Sequence, residues 1–213
     1  SPLPQLLFLF TGGTLSTRKV GDPGYLAPTN LALDLLAHAP AISAVADIQT
    51  RVITNVDSSD LTPSHWGQLA QAIADAHDEF DGFVVIHGTD TMTFTACALS
   101  FMLGGNHKPV VLTGSQRPLA VPRTDARSNL VHSAISAAMN IREVGLYFGS
   151  HLFRGNRATK TSVYAYDAFA SPNHPPLVEL GVDIERVSPA LHRSGPVTVH
   201  PEVNTDVAVL SAF

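Results

Sequence analysis

The stretch VVIHGTDTMTFTA, residues 84–96, runs from an apolar segment through a polar turn into a second apolar segment. The run FVVI (83–86) shows no polar alternation, which is typical of a strand covered on both faces. His87 and Gly88 end that run, and the residues from Thr91 to Leu103 are apolar nearly all round a helix. The stretch therefore predicts a buried strand that gives way, through a tight turn, to a helix packed deep in the fold.

Similar apolar runs recur along the chain, and helical patterns separate them. Further strands are predicted at LLFLF (6–10), the more alternating QTRVITNV (49–56), PVVLT (109–113) and VGLYF (144–148). Helices are predicted at residues 63–80, with Thr62 as the cap and Pro63 in the first turn, and at residues 128–141. The alternation predicts an α/β fold, a doubly wound and mainly parallel sheet with helices on both faces. After Gly149 the pattern loosens, which we interpret as an elaborated connection.

Composition and charge exclude several classes of function. The 213 residues carry a formal net charge of -5 with scattered basic residues, so nucleic acid is not an expected partner. Cys97 is the only cysteine, which excludes an intrachain disulfide and favours a reducing, cytoplasmic compartment. No apolar run approaches membrane-spanning length, so a membrane is not an expected partner. The histidines form no paired motif such as HEXXH, and no metal is expected.

Four junctions between predicted elements are dense in glycine and hydroxyl groups. These junctions are TGGTLST (11–17), NVDSSDLTP (55–63), HGTDT (87–91) and TGSQRP (113–118). In open α/β sheets ligands bind beyond the carboxyl ends of the strands, where glycines let backbone amides approach a ligand. For any one junction alone, turn geometry and helix capping are the favoured explanation, and Thr91 is expected to be mainly a cap. The four together favour a shared polar crevice.

The HGTDT junction indicates what chemistry the crevice could support. Thr89 and Asp90 are expected at the mouth of the sheet, where a carboxylate suits a cationic group of a ligand. A threonine hydroxyl is a poor nucleophile unless a nearby base takes its proton, and Lys160 in RATKTS is the best candidate for that base. Backbone amides of a glycine-rich turn can stabilise the oxyanion that forms when a hydroxyl attacks an amide.

Five motifs in this order resemble those of the bacterial-type L-asparaginases, amidohydrolases that cleave asparagine and in part glutamine. The motifs are TGGT, DSSD.TP, DGFV..HGTDTM, KPVV.TGSQ.P and RGNRATK, and they cover the chain from Thr11 onward. The second and last motifs are most similar to the cytoplasmic type I branch. The resemblance implies hydrolysis of L-asparagine through an acyl-threonine intermediate, with weak glutaminase activity and without a metal or organic cofactor.

The resemblance also implies roles for individual residues. Thr14 matches the acylated nucleophile, which lies on a mobile loop that closes over the substrate, and Tyr25 would lie in that lid. The substrate's α-carboxylate would be held by the segment that matches Asp57, Ser58 and Ser59.

Three further residues match a second triad. Thr89, Asp90 and Lys160 match the group that activates the nucleophile or the attacking water, and Asp90 also matches the residue that pairs with the substrate's α-ammonium. The sequence leaves open which threonine attacks. Ala126 stands where the family usually has glycine, after the aspartate that matches Asp125, so we expect altered backbone angles in that turn.

Family members continue into a smaller C-terminal domain, which contributes an acidic residue to a neighbouring subunit's site. The resemblance implies that residues 1–180 form a catalytic N-terminal α/β domain, and that residues 181–213 are a connection and the start of a truncated C-terminal domain. It also implies a homo-oligomer, a dimer or a tetramer. Two other functions remain open, a non-catalytic amino-acid-binding module and an amidotransferase subunit that passes ammonia to a partner.

Overall fold

The computed structural model describes residues 2–13, 31–105, 107–191 and 194–208. Within these ranges the helices are α1 (Leu31–His38), α2 (Pro63–Asp75), α3 (Met92–Met102) and α4 (Ala126–Ala138), with 3-10 turns at Pro40–Ala44 and Ser58–Asp60. The first six strands are β1 (Gln5–Phe10), β2 (Asp47–Val52), β3 (Gly82–Ile86), β4 (Leu103–Gly104), β5 (Val110–Thr113) and β6 (Val144–Phe148). The remaining strands are β7 (His151–Arg154), β8 (Thr159–Lys160), β9 (Phe169–Ala170), β10 (Val178–Leu180), β11 (Ile184–Arg186) and β12 (Thr198–Val199).

Most of the strands join one sheet. Among the described residues, eight strands pair in the order β11-β10-β7-β6-β5-β3-β1-β2. The strands β2, β1, β3, β5 and β6 run parallel, whereas β7, β10 and β11 extend the sheet by antiparallel pairing. Two short ladders pair β12 with β4 and β8 with β9. The predicted α/β fold with a mainly parallel sheet is confirmed.

Both faces of the sheet are covered, as the continuous apolar runs require. Leu6, Phe8 and Phe10 pack in a cluster with α1 and α4, whereas Leu7 and Leu9 pack in a second cluster with α2 and α3. All five side chains are at most 2% exposed, because successive residues of a strand point to opposite faces and each face carries a helix layer.

The predicted helices are present, with small shifts at their ends. Helix α2 has Thr62 at its N-cap and Pro63 in its first turn, as predicted, but it ends at Asp75. Helix α4 begins at Ala126, which is buried, and no described residue other than glycine has a positive φ. Ala126 is therefore helical, a conformation in which alanine is more stable than glycine.

The elaborated connection predicted after Gly149 contains short strands that the sequence did not indicate. Strand β7 folds back on β6 through Gly149, whose φ is 65°, and β10 and β11 pair with β7 and with each other. These strands have three or four residues each, too few to show a period in the sequence. Helix α1 also lies in a part of the chain where no element was predicted.

The strand order marks where a ligand would bind. From β1 the chain moves to β2 on one side and then to β3 on the other, so the connections on either side of β1 lead in opposite directions. In doubly wound sheets this switch point leaves a crevice at the carboxyl ends of the two strands. The junctions after β1 and β3 are TGGTLST and HGTDT, two of the four polar junctions singled out in the sequence.

Candidate active site

Close backbone contacts bring three of the polar junctions together at the switch point. A Cβ built on Gly13, whose φ is +98°, would lie 2.6 Å from the Cα of Gly88. A Cβ built on Gly88 would lie 2.7 Å from the Cβ and the Oγ of Ser58. Only glycine permits these approaches, so the junctions after β1, β2 and β3 meet because Gly13 and Gly88 lack side chains.

The three residues predicted as a triad lie in direct contact. Lys160 Nζ donates to Thr89 Oγ1 at 2.9 Å and to Asp90 Oδ1 at 2.7 Å. Lys160 reaches them from β8, in the small ladder with β9, although 70 residues separate it from Asp90 in sequence. The side chain of Lys160 is 15% exposed and that of Asp90 is 65% exposed. The Lys160 ammonium is thus shielded from water, whereas the Asp90 carboxylate is exposed to water.

Gln116 also contacts the triad, and sequence reasoning did not single it out. Its Oε1 accepts from Thr89 Oγ1 at 3.4 Å, and its Nε2 donates to the carbonyl of Ala165 at 3.0 Å. The hydroxyl of Thr89 therefore lies between the Lys160 ammonium and the Gln116 amide. The available signal was the position of Gln116 in TGSQRP, directly after the predicted strand that became β5.

The Asp57–Ser59 segment forms a turn against the HGTDT junction, which carries Thr89 and Asp90. Asp57 Oδ1 accepts from the N–H of Ser59 at 2.8 Å, and Ser58 is buried while Ser59 is exposed. Thr91 occupies the N-cap of α3, but its hydroxyl makes no capping bond and donates to the carbonyl of Ser58 at 2.7 Å. Thr91 therefore links the two junctions, which corrects its predicted role as mainly a cap.

His87 fixes the backbone just before Thr89. Its Nδ1 lies 2.7 Å from the carbonyl oxygen of Gly88 and its Nε2 lies 2.8 Å from Thr95 Oγ1. Desolvation by burial lowers the pKa of His87 to about 4, although the bond to Gly88 acts in the opposite direction. The ring is therefore neutral at physiological pH, with Nδ1–H donating to Gly88 and Nε2 accepting from Thr95.

Two predicted site residues, Thr14 and Tyr25, lie outside the described residues. Among the residues that are described, the structure brings together Thr89, Asp90 and Lys160, and places the Asp57–Ser59 turn beside them. Within that same part of the chain no group of three or more His, Cys, Asp or Glu side chains could hold a metal ion. None of the described helices is long and apolar enough to cross a membrane.

Cys97 lies on α3, away from these groups. It is half-buried, and it lines a mainly apolar surface groove together with Trp66, Phe94 and Phe101. Burial raises the pKa of the Cys97 thiol, which disfavours the reactive thiolate. Cys97 therefore has the character of a small hydrophobe, and we expect it to take no part in the chemistry.

Comparisons with known proteins connect this geometry to a family. A family model described as "Asparaginase, N-terminal" matches residues 5–191. L-asparaginase 1 of Escherichia coli strain K12 is 42% identical over 210 residues, which cover 96% of this chain and 62% of that protein. The 60 kDa lysophospholipase of Mus musculus is 39% identical over 239 residues, which cover 100% of this chain and 42% of that protein.

A solved structure shows the same fold. The crystal structure of L-asparaginase I from Vibrio cholerae O1 biovar eltor matches with a TM-score of 0.82 and 39% sequence identity, covering 93% of this chain and 61% of that one. The chain therefore spans less than two thirds of the length of these relatives. One relative is named an asparaginase and another a lysophospholipase, so the similarity alone does not identify the substrate.

Proposed function

The chain belongs to the asparaginase family, and we propose that it is an amidohydrolase that cleaves L-asparagine to L-aspartate and ammonia. The observation that carries the proposal is the Lys160 ammonium, 2.9 Å from the Thr89 hydroxyl and 2.7 Å from the Asp90 carboxylate. These groups stand at the edge of the sheet where ligands of such folds bind. A hydroxyl, a group that can carry its proton and a carboxylate that orients that group are the parts that nucleophilic cleavage of an amide requires.

The reaction proceeds in two steps through a threonine ester. A threonine Oγ1 attacks the side-chain carbonyl carbon of asparagine while a base takes the hydroxyl proton. The C–N bond then breaks, and the nitrogen gains a proton and leaves as ammonia. Water attacks the ester in the second step, its proton passes to the base, and aspartate leaves as the threonine hydroxyl is restored. Backbone N–H groups of the glycine-rich turns stabilise the oxyanion in both steps.

Lys160 is assigned the proton transfers. As a free amine it can accept a proton from Thr89 or from the attacking water, and as an ammonium it can return that proton to the leaving nitrogen. The bond of 2.7 Å to Asp90 keeps Nζ directed at Thr89. Thr14, which the resemblance implies as the acylated residue, follows Gly13, and Gly13 packs against Gly88 beside Thr89.

The charges at the site suit a zwitterionic amino acid. The Asp90 carboxylate is 65% exposed, so it can accept from a substrate ammonium while its Oδ1 accepts from Lys160. We assign the α-carboxylate to the turn of Asp57, Ser58 and Ser59, and the lid over the substrate to Tyr25. Glutamine differs from asparagine by one methylene, which a pocket discriminates by about 1–3 kcal/mol, so weak glutaminase activity is expected.

The proposal extends to the setting of the enzyme. We expect a homo-oligomer, a dimer or a tetramer, acting in the cytoplasm without a metal or an organic cofactor. Phe94 and Phe101 on α3 are 62% and 70% exposed, and apolar surface of this kind favours association. Sedimentation equilibrium measures the mass independently of shape, and a protein that stays monomeric at all working concentrations would contradict the assembly.

Ammonia release on incubation with L-asparagine tests the activity. Thr14→Ala and Thr89→Ala should abolish turnover, whereas Thr93→Ala, the same change on the first turn of α3, should leave it unchanged. Near-normal rates in both of the first two variants would overturn the assignment of the hydroxyls. Calorimetric binding without ammonia release would favour a binding module, and release that depends on an added partner would favour an amidotransferase subunit. Release of fatty acid from a lysophospholipid would show a different substrate class.

A further inference from the structure

We propose that Asp125, at the start of α4, is a positioning residue that directs the Gln116 amide at the Thr89 hydroxyl. The inference rests on the function proposed above, because it concerns the orientation of a hydroxyl assigned to that reaction. Asp125 touches neither Thr89 nor Lys160. It acts through the backbone of the loop between β5 and α4.

The contacts of Asp125 converge on that loop. The N–H of Gln116 donates to both carboxylate oxygens, at 3.1 Å to Oδ1 and 2.9 Å to Oδ2, and the N–H of Arg117 donates to Oδ1 at 3.1 Å. The residue is only 9% exposed, so these bonds to a charged acceptor are little weakened by water. A buried carboxylate that receives two successive backbone amides fixes the position of the chain at Gln116.

A helix cap would be the ordinary role for an aspartate at this position. Asp125 does stand at the N-cap of α4, but within the described part of the chain its side chain makes no capping bond. Thr124 accepts instead from the first turn of the helix, with its Oγ1 3.0 Å from the backbone nitrogen of Ala126. The carboxylate of Asp125 thus faces the loop rather than its own helix.

A second buried side chain holds the carboxylate in place. Asn129, one turn along α4 and 1% exposed, donates from Nδ2 to Asp125 Oδ2 at 3.3 Å and to the carbonyl of Gly114 at 3.0 Å. Its Oδ1 accepts from the N–H of Gly149 at 3.3 Å. Asp125 and Asn129 together tie both ends of the segment 114–117 to one helical turn, so the loop has little freedom to shift.

The fixed loop determines which atom of Gln116 meets the reactive hydroxyl. Nε2 donates to the carbonyl of Ala165, in the connection between β8 and β9, and this leaves Oε1 to accept from Thr89 at 3.4 Å. The Gln116 amide thereby holds Thr89 Oγ1 in place, 2.9 Å from Lys160 Nζ, the group assigned to carry its proton. A shift of about 1 Å in such a constellation is enough to reduce a rate by about 100-fold.

Asp125→Asn tests the inference because it keeps the shape and places an N–H₂ donor opposite backbone donors. We expect kcat to fall about 10- to 100-fold with little change in KM. Asp81→Asn is the matched control, since Asp81 Oδ2 also accepts from a backbone amide, that of Gln5 at 2.8 Å, at the opposite end of β3. Its rate should equal that of the wild type.

A double-mutant cycle separates positioning from general damage. If Asp125 acts through Gln116, then Asp125→Asn in a Gln116→Ala background should cost no more than about 2-fold in kcat, because the amide it positions is already gone. A loss in that background as large as in the wild type would overturn the inference. Should Asp125→Asn fail to fold, Asp125→Glu, which keeps the charge on a longer side chain, carries the same comparison.

Amide hydrogen exchange gives a readout that does not depend on activity. The N–H groups of Gln116 and Arg117 should exchange at least about 10-fold faster in Asp125→Asn than in the wild type and Asp81→Asn. Unchanged exchange would overturn the role of Asp125 even if the rate falls. If the wild type releases no ammonia, the proposed function fails, and the exchange measurement alone decides whether Asp125 holds the loop.

Discussion

Two lysines of this chain place their ammonium groups against oxygen acceptors, and the acceptors differ in kind. Lys108 Nζ donates to the carbonyls of His77 and Phe80, which follow α2. Lys160 donates to a hydroxyl and a carboxylate at the mouth of the sheet. A backbone carbonyl can only accept a hydrogen bond from Lys108, whereas the hydroxyl beside Lys160 can exchange a proton with the amine. The first contact is structural and the second suits chemistry.

We therefore predict opposite effects of removing the two charges. Lys160→Met should lower kcat by about 1,000-fold or more while the thermal transition stays near that of the wild type. Lys108→Met should lower the free energy of unfolding by about 2 kcal/mol and leave kcat unchanged. Ammonia release and urea unfolding measure the two quantities. Comparable rates for Lys160→Met and the wild type would remove Lys160 from the mechanism.

The lowered pKa of His87 predicts how the free energy of unfolding depends on pH. Its pKa is lowered by burial from 6.5 to about 4, so below pH 6.5 the unfolded chain binds a proton that the folded chain does not. The contribution of His87 to the free energy of unfolding should fall by about 3 kcal/mol as the pH drops from 6.5 to about 4, and should change little below that. Burial also lowers the pKa of His132, which adds to the loss in the same direction.

Urea unfolding between about pH 7 and pH 4 checks this dependence. His87→Asn removes the titrating group and keeps a donor for the Gly88 carbonyl, so its stability should fall less steeply on acidification. His200→Asn, at an exposed position, should follow the wild type. Parallel curves for the wild type and His87→Asn would contradict the assignment.

At the scale of elements, the site depends on how closely the turns after the strands approach one another. Gly88→Ala should place a Cβ 2.7 Å from the Cβ of Ser58 and push the turn after β2 away from the turn after β3. We predict a loss of about 1–3 kcal/mol in stability and of about 100-fold in turnover. Gly181→Ala is the control, because its nearest neighbour would be the carbonyl of Asp183 at 3.9 Å. Normal turnover in Gly88→Ala would show that the close approach is not needed.

The elements that could be predicted from the sequence are those whose environment leaves a local signature. β1, β3, β5 and β6 are covered on both faces and therefore read as unbroken apolar runs. β10 and β11 have three residues each, and β11 is exposed throughout. Strands this short form because they pair with a neighbouring strand that lies elsewhere in the sequence. The local residue pattern therefore does not predict them.

The same limit applies to the site. Thr89, Asp90 and Lys160 could be predicted, because a strand end and the required base point to them and because their motifs resemble a known family. Gln116 could not, since its role depends on the carbonyl of Ala165, 49 residues away in sequence. Asp125 looked like part of a turn until its carboxylate was seen to accept from the loop rather than from its own helix.

For the whole molecule, the crevice lies between β3 and β1, one strand in from the edge strand β2, and both edge strands are exposed. β2 at one edge and β11 at the other have mostly exposed residues. After Gly149, β7, β10 and β11 widen the sheet, and the connection between β7 and β10 carries Lys160, on β8, back to the triad. Function and sheet extension come from the same segment.

The boundary predicted at residue 180 remains a prediction, and contacts beyond it show how to test it. Glu143, 3% exposed, accepts from Arg154 at 2.6 Å and from the N–H of Leu191 at 2.5 Å, and Arg154 also donates to the carbonyl of Pro189 at 3.0 Å. The N–H of Val187 donates to Leu177 at 3.0 Å. The segment 181–191 thus satisfies buried polar groups of the unit 1–180.

A chain that ends at residue 180 should consequently be less stable than the full chain by about 3 kcal/mol or more, because it leaves the Glu143 and Arg154 pair short of partners. Asp206→Ala in the full chain should leave the stability unchanged, since the described hydrogen bonds of residues 205–208 are local ones to Asn204 and Thr205. Urea unfolding of the three proteins measures the differences. Equal stability of the shortest and the full chain would establish residues 1–180 as a unit that folds without its connection.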